Sequence, residues 1–323
     1  MFRLEEECEG AKSIVIAGHV RPDGDCIGSC MAVYLYLKKV MPQAEVNVAL
    51  EQPSDIFSCI KDFDKIRTEC SGIEAPDVFI VLDCEKNRIC AEAVELFNNA
   101  KKTINIDHHV SNETGSAQVN YVDPKASSAS ELVYDVLDND KLDVEIAKAI
   151  YIGIMHDTGI FQYSNTKPKT FRILADLVSY GFDFPTLIDE TFHEKSYKQN
   201  QLLGRALLES IMFMDGKCIV SSIDKKTMEF YQAASSDLDG IVNQLRIIKG
   251  VECAIFMYET GTQEYKVSLR SCKYVDVSKI AEFFGGGGHV RAAGCTMNGS
   301  FYDVVNNLSD QIALQIKEQE IDQ

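Results

Sequence analysis

Aspartate and histidine residues that can bind metal ions occur in four short groups in the first half of this 323-residue chain. The groups are His19 with Asp23 and Asp25, then Asp83, then Asp107 with His108 and His109, and finally His156 with Asp157. A single aspartate after a strand is usually a turn former or a helix cap. Many carboxylates in one place, however, repel each other unless cations lie between them. The four groups together therefore predict a metal site.

Buried parallel strands are expected to bring these groups together. Short β-branched runs predict strands at residues 13–17, 46–50, 78–82, 103–106 and 118–122, with helices between them. Continuous apolar strands separated by helices indicate a parallel sheet that is covered on both faces. The carboxyl ends of such strands lie along one edge, where ligands bind. Three of the four groups follow a predicted strand, so we expect them to converge at this edge.

The sequence pattern changes after residue 184. A polar helical stretch follows, and then two predicted hairpins, one around Asp215-Gly216 and one around Gly261. We expect an α/β fold, in which an N-terminal parallel-sheet domain is joined by a helical connector to a smaller α+β C-terminal domain. The predicted ranges are 1–184 for the metal-binding domain, 185–208 for the connector and 209–323 for the C-terminal domain.

The mixture of carboxylate and imidazole ligands indicates which metal is bound. Such ligands suit Mn²⁺; Zn²⁺, Fe²⁺ and Co²⁺ are alternatives, and Mg²⁺ fits less well. The number of candidate ligands exceeds what one ion needs. Two ions about 3.5–4 Å apart are the usual arrangement for phosphoester hydrolysis, so we predict a two-metal phosphoesterase.

A second signal lies in the C-terminal half, where four consecutive glycines, 285–288, precede His289. A glycine run places no side chains and can expose backbone N–H groups to phosphate oxygens. A flexible hinge or a tight turn is the alternative interpretation. Arg270 ends a predicted strand and offers a planar, bidentate partner for phosphate. Arg270 and His289 together favour phosphate binding.

Five motifs now resemble one known family. The strings H-x-x-x-D-G-D, a strand-ending Asp, D-H-H and D-T-G resemble the DHH phosphoesterases, and G-G-G-G-H-x-x-A-A-G resembles their DHH-associated C-terminal domain. The match covers nearly the whole chain in the expected order. By this resemblance the N-terminal domain is catalytic and the C-terminal domain binds substrate.

The resemblance also implies roles for individual residues. One metal would be held by His19, Asp23 and Asp83, and the other by Asp25, Asp83, His108 and Asp157. Asp107 would support its neighbours, and His109 would face the phosphate as an electrostatic partner or as the proton donor to the leaving group. The substrate phosphate would be bound by Arg270, Gly286, Gly287, Gly288 and His289. The role of His156 stays open.

Charge and family resemblance limit the range of expected substrates. The net charge of −17 and the lack of a dense Lys/Arg run argue against a long duplex nucleic acid. Within the family, the layout resembles the nanoRNase and pAp-phosphatase group, which trims oligonucleotides of a few residues and removes the 3′-phosphate of adenosine 3′,5′-bisphosphate (pAp). The cleavage polarity is left open. A stand-alone cyclic-di-AMP phosphodiesterase and a catalytically silent nucleotide-binding regulator are the alternatives.

Location and assembly are predicted more coarsely. The apolar runs are too short to cross a membrane, the N-terminus has no apolar signal core, and the eleven cysteines are scattered. We therefore predict a cytoplasmic protein without a membrane partner. A homodimer is implied by the resemblance alone.

Overall fold

A computed structural model describes residues 2–321 of the chain. The apolar runs of the first half form a six-stranded sheet in which every neighbouring pair is parallel. The strands are β1 (Ser13–Ala17), β2 (Glu45–Ala49), β3 (Ile66–Arg67), β4 (Val78–Leu82), β5 (Lys102–Asp107) and β6 (Val119–Val122). Their order is β3-β2-β1-β4-β5-β6. The chain thus reverses its direction of winding between β1 and β4, the kind of position where doubly wound sheets bind ligands.

Helices cover both faces of this sheet, as predicted. They are α1 (Leu4–Glu7), α2 (Gly24–Val40), α3 (Ala91–Asn99), α4 (Ala129–Val136), α5 (Val144–Asp157), α6 (Pro168–Val178) and α7 (Phe184–Ile188). Alternate strand residues point to opposite faces. Ile14 and Ile16 therefore join one apolar core with α2, α4 and α5, whereas Val15 and Phe79 join a second core with α3.

A second sheet organises the rest of the chain. Its strands are β7 (Ile211–Phe213), β8 (Cys218–Ile223), β9 (Cys253–Gly261), β10 (Glu264–Ser271), β11 (Gly287–His289) and β12 (Ala292–Asn298). The helices are α8 (Tyr197–Leu208), α9 (Lys225–Tyr231), α10 (Ile241–Arg246), α11 (Val277–Phe283) and α12 (Phe301–Ile321). The order is β11-β12-β10-β9-β8-β7. Only the β8–β9 pair is parallel within this described sheet, so the predicted smaller α+β fold is confirmed.

The chain divides into two compact units, Met1–Glu194 and Lys195–Gln323, which we call the N-terminal and C-terminal units. The division falls inside the predicted connector 185–208. That connector is not one continuous helix. A π-helical turn at Asp189–His193 follows α7, and α8 begins as a separate helix at Tyr197. Ser196 and Gln199 form a reciprocal capping box at this new start, and a capping box marks a helix N-terminus.

Among the described residues, no helix combines the length and apolar character needed to cross a membrane.

Candidate metal centre

The candidate ligands meet at the reversal point of the first sheet. His19 follows β1, Asp83 follows β4, and His108 follows β5. Asp25 lies in the first turn of α2, and Asp157 is the last residue of α5. The structure therefore brings together side chains that lie far apart in the sequence.

His19 forms the first ligand group with Asp23 and Asp83, whose ligand atoms all lie within 4.8 Å of one another. The Nε2 atom of His19 lies 3.6 Å from Oδ1 of Asp23 and 3.4 Å from Oδ2 of Asp83. Its Nδ1 lies 3.0 Å from the carbonyl oxygen of Val20. If Nδ1–H donates to this carbonyl, the lone pair of Nε2 points at the carboxylates, as in a metal-binding histidine.

His108 forms the second group with Asp25 and Asp157. Its Nε2 lies 3.9 Å from Oδ2 of Asp25 and 3.8 Å from Oδ2 of Asp157. Asp25 is buried, and its two oxygens accept the backbone N–H groups of Ala129 at 2.7 Å and Ser130 at 2.9 Å. These donors are in the first turn of α4, so the helix N-terminus fixes this ligand.

Asp83 lies between the two groups. Its Oδ2 faces His19, and its Oδ1 lies 3.4 Å from Nε2 of His108. Asp83 is 2% exposed, yet Oδ1 has no hydrogen-bond partner. Its φ of 59° is uncommon for a residue other than glycine. A buried oxygen without a donor is costly, and a cation beside Oδ1 would remove that cost. The carboxylate and imidazole groups around Asp83 therefore fit divalent ions, which these residues would hold.

The electrostatics of the cluster indicate the same need for positive charge. Burial raises the pKa of Asp25 well above its usual range, and the charges of Asp83 and Asp157 raise it further. Burial would lower the pKa of His19, but the nearby carboxylates of Asp23 and Asp83 outweigh it and raise the pKa. Either protons or metal ions must offset the carboxylate charge.

Asp107 and His109 form a separate pair beside the ligands. Asp107 is fully buried, and its Oδ1 accepts from Nδ1 of His109 at 2.8 Å. Its Oδ2 accepts from Nδ2 of Asn112 at 2.7 Å. Nδ1 of His109 also lies 3.7 Å from Oδ1 of Asp83. The contact with Asp107 is shorter, so Asp107 is the hydrogen-bond partner of this nitrogen. Asp83, His108 and His109 also form a group of potential metal ligands, but because Asp107 orients the partly exposed His109, His108 is the candidate ligand.

Asparagines that hold the site could not be identified from the sequence. Asn112 contacts Asp107, and Asn165 donates to Oδ2 of Asp157 at 3.2 Å. Neither asparagine belongs to one of the motifs. Asparagine in a loop is common for purely local reasons, so the sequence contains no signal that singles them out.

The predicted phosphate-binding residues share one face of the second sheet. Arg270 on β10 pairs with Ala292 on β12, and Ala292 pairs with His289 on β11. Directly opposed residues lie on the same face, so Arg270 and His289 are two strands apart, about 10 Å, on one face. Nε of Arg270 donates to Oδ1 of Asn243 in α10 at 3.1 Å. Asn243 was not predicted.

The glycine run leads into the edge strand β11, which begins at Gly287, and its members are not equivalent. Gly288 has a φ of 148°, and a Cβ atom there would lie 2.5 Å from the carbonyl oxygen of Ala292. A Cβ atom at Gly286 would lie 2.2 Å from the carbonyl oxygen of Gly294. A Cβ atom at Gly287 would meet nothing within 4 Å. Close strand pairing therefore requires glycine at 286 and 288, while 287 faces open space.

Comparison with known proteins agrees with this architecture. Family models described as "DHH family, N-terminal domain" and "DHHA1 domain" match residues 13–154 and 215–318. The bifunctional oligoribonuclease and PAP phosphatase NrnA of Thermus thermophilus is 31% identical over 88% of this chain and 84% of that protein. The protein of the same name from Bacillus subtilis is 27% identical over 88% and 89%.

A solved structure is also closely similar. The exopolyphosphatase-related protein from Bacteroides fragilis superposes with a TM-score of 0.87 and 28% sequence identity, over 96% of this chain and 94% of that one. Carboxylates and imidazoles gathered at the strand ends of a doubly wound sheet are groups that metal-dependent phosphoester hydrolases use. The chain belongs to the DHH family of phosphoesterases, and its C-terminal unit contains the DHHA1 domain.

Proposed function

We propose that this chain is a two-metal phosphoesterase that hydrolyses oligonucleotides of a few residues and removes the 3′-phosphate of pAp. The observation that carries the proposal is the pair of ligand groups on either side of Asp83. The substrate class is supported by relatives named bifunctional oligoribonuclease and PAP phosphatase, to which the chain is similar over most of its length.

His19, Asp23 and Asp83 would hold one ion, and Asp25, Asp83, His108 and Asp157 the other. We infer Mn²⁺ as the preferred metal, because hard carboxylates and borderline imidazoles occur together in both groups. When bound, such ions lower the pKa of water and offset the charge that develops on the phosphate. Asp25 and Asp23 contribute by being fixed in place: each carboxylate accepts two backbone N–H groups.

His109 is the residue that we propose acts on the leaving group. Asp107 accepts from its Nδ1, which fixes the ring and stabilises the protonated imidazole. The opposite nitrogen, Nε2, then carries the proton that a leaving oxygen needs. Asp107 is itself held by Asn112 and by the backbone N–H groups of His108 and His109. Asp107 is thus a positioning residue, and His109 is the group that touches substrate.

The C-terminal unit would bind a phosphate of the substrate. Arg270 and His289 share a face of its sheet, and the exposed edge strand β11 offers backbone N–H groups beside them. A guanidinium held by a helix loses little freedom when it binds phosphate. This unit therefore supports substrate recognition, while the ligand groups of the N-terminal unit support catalysis.

Product release measured in parallel tests the proposal. EDTA-treated protein is reloaded with Mn²⁺ and given pAp, pApA, a five-nucleotide RNA, cyclic di-AMP and pyrophosphate. We expect the highest kcat/KM on pAp and the short oligonucleotides, with no turnover before Mn²⁺ is added. Preference for cyclic di-AMP would reassign the substrate and retain the metal centre. No hydrolysis of any of the five substrates would contradict the proposal and favour a nucleotide-binding regulator.

Location and assembly remain predictions. All eleven cysteines are free thiols, which favours a reducing compartment such as the cytoplasm. The predicted homodimer is tested by light scattering after size-exclusion chromatography.

A further inference from the structure

His156 directly precedes the candidate ligand Asp157 in the sequence. It belongs to neither of the two ligand groups around Asp83. Among the described residues, the groups of potential metal ligands all exclude it. Its side chain is instead enclosed by apolar rings. The centroid of Phe57 lies 4.9 Å from that of His156, and the centroid of Phe192 lies 5.4 Å away. His156 is therefore fixed on two sides by aromatic packing.

The ring of His156 also lies against the backbone of Gly24. A Cβ atom on Gly24 would be 2.3 Å from Cγ of His156, so no larger residue fits at this position unless the ring moves. Gly24 stands between Asp23 and Asp25, which belong to different ligand groups. The ring thus supports the N-terminal end of α2, which supplies one carboxylate to each predicted ion.

A hydrogen bond fixes the far side of the ring. Nε2 of His156 lies 3.1 Å from Oγ1 of Thr191, and the same Oγ1 lies 2.7 Å from the carbonyl oxygen of Leu187. The hydroxyl must donate its one proton to that carbonyl, so it accepts from Nε2–H. Thr191 is buried within the π-helical turn Asp189–His193. Turns of this kind are rare and often occur at functional sites.

Asp23 and Asp25 differ in how much they depend on this support. The side chain of Asp25 is 2% exposed and is held by two N–H groups of α4. Asp23 caps the N-terminus of α2; its side chain is 62% exposed and accepts from the N–H groups of Asp25 and Cys26 in the first turn of that helix. A displaced N-terminus of α2 would therefore move the side chain of Asp23 more than that of Asp25.

We infer that His156 is a positioning residue, which supports Gly24 from the π-helical turn and so sets the metal affinity of the His19–Asp23–Asp83 group. This inference rests on the proposed metal centre and adds a residue that neither ligates metal nor touches substrate. Groups that hold a ligand in place typically contribute roughly 10–100-fold to metal affinity. The effect is specific for one of the two ions, since Asp25, His108 and Asp157 have supports of their own.

Mn²⁺ binding to EDTA-treated full-length protein tests this inference without relying on activity. The number of bound ions and their Kd values are measured by calorimetry and by the electron paramagnetic resonance signal of free Mn²⁺. For His156→Ala we expect one ion to bind with wild-type Kd and the other roughly 10–100-fold more weakly. At fixed low Mn²⁺ kcat falls, and excess Mn²⁺ restores it. His193→Ala is the matched control, because His193 is exposed in the same π-helical turn and its ring contacts Phe192.

Two further variants separate positioning from folding. His156→Phe keeps a ring against Gly24 but loses the hydrogen bond, and Thr191→Val loses the same bond from the other side. Both variants should weaken the binding of the same ion, and their effects on Kd should not add in the double variant. Thr191→Ser, which keeps the hydroxyl, should bind Mn²⁺ with wild-type Kd. Two ions bound with wild-type Kd in His156→Phe and Thr191→Val, or equal weakening of both ions, would overturn the inference. Wild-type protein that binds fewer than two ions would instead overturn the proposed function itself.

Discussion

Nε of Arg270 donates a hydrogen bond to Oδ1 of Asn243, so a residue of helix α10 holds the guanidinium on the face that it shares with His289. Nη1 of Arg270 is turned toward the carbonyl oxygen of Leu269 at 2.9 Å. These contacts give the side chain a defined orientation before any ligand arrives. Binding of phosphate then costs less side-chain entropy than it would for a mobile arginine.

Asn243→Ala should weaken substrate binding without changing the chemical step. A hydrogen bond to a charged group contributes on the order of 1.5 kcal/mol, which corresponds to about tenfold in KM. We expect KM for pAp to rise by up to about that factor while kcat stays near the wild-type value, since neither Asn243 nor Arg270 belongs to a ligand group. Gln244→Ala, at the exposed neighbouring position, is the control. A fall in kcat with unchanged KM would contradict this role.

The glycine run allows a sharper test, because its members differ in the space around them. Gly288→Ala places a methyl group against the carbonyl oxygen of Ala292 at a φ that disfavours alanine, so we expect a loss of stability of about 1–3 kcal/mol. Gly287→Ala has open space and should leave the unfolding midpoint unchanged. If substrate approaches this strand, Gly287→Ala nevertheless raises KM. Wild-type KM in a stable Gly287→Ala protein would argue against contact between β11 and substrate.

The fold was predictable where side chains themselves favour a strand. The β-branched runs predict β1 and β4 with their observed bounds. The short β3 and the pair β11–β12 were not predicted. Strand preference reflects how well a side chain packs on a pleated surface, and a run of Gly and Ala offers little to pack. Pairing with β10 makes β12 a strand, and that partner is remote in the sequence.

The convergence of the candidate ligands was predictable for a different reason. Each carboxylate or imidazole alone is a weak signal, but several of them at strand ends must meet, because the carboxyl ends of parallel strands lie along one edge of the sheet. The supports around them are not recognisable in this way. Asn112, Asn165 and Asn243 each form a hydrogen bond with a predicted residue, and only the three-dimensional arrangement identifies their partners. His156 was noticed in the sequence, but its contact with Gly24 could not be inferred from its position before Asp157.

Asp83→Asn should separate metal binding from folding. Asparagine has nearly the same shape and tolerates the left-handed backbone of residue 83, so the metal-free protein should unfold near the wild-type temperature. The variant loses the shared ligand. Removing a residue that only holds a ligand in place costs up to about 100-fold, so loss of the ligand itself should lower activity by more than this. Mn²⁺ should raise the Tm of the wild type by mass action and should no longer do so for the variant. An unchanged Mn²⁺-induced rise in Tm would contradict the shared role.

Glu5 should make the stability of the N-terminal unit depend on acid pH. Lys141 donates to Oε1 of Glu5 at 2.8 Å, and the hydroxyl of Tyr36 donates to Oε2 at 2.8 Å. The contact with Lys141 is the main reason that the pKa of Glu5 lies below its ordinary value of 4.5. A lowered folded-state pKa stabilises the protein above the unfolded value, and this stabilisation is lost as the pH falls through the folded value. Glu5→Gln should therefore lower the urea midpoint at pH 7, and the difference from wild type should shrink progressively as the pH falls below 4.5. Glu6→Gln, at an exposed position in the same helix, should show no such convergence. A difference between Glu5→Gln and wild type that is constant from neutral to acid pH would mean that the charge of Glu5 does not contribute.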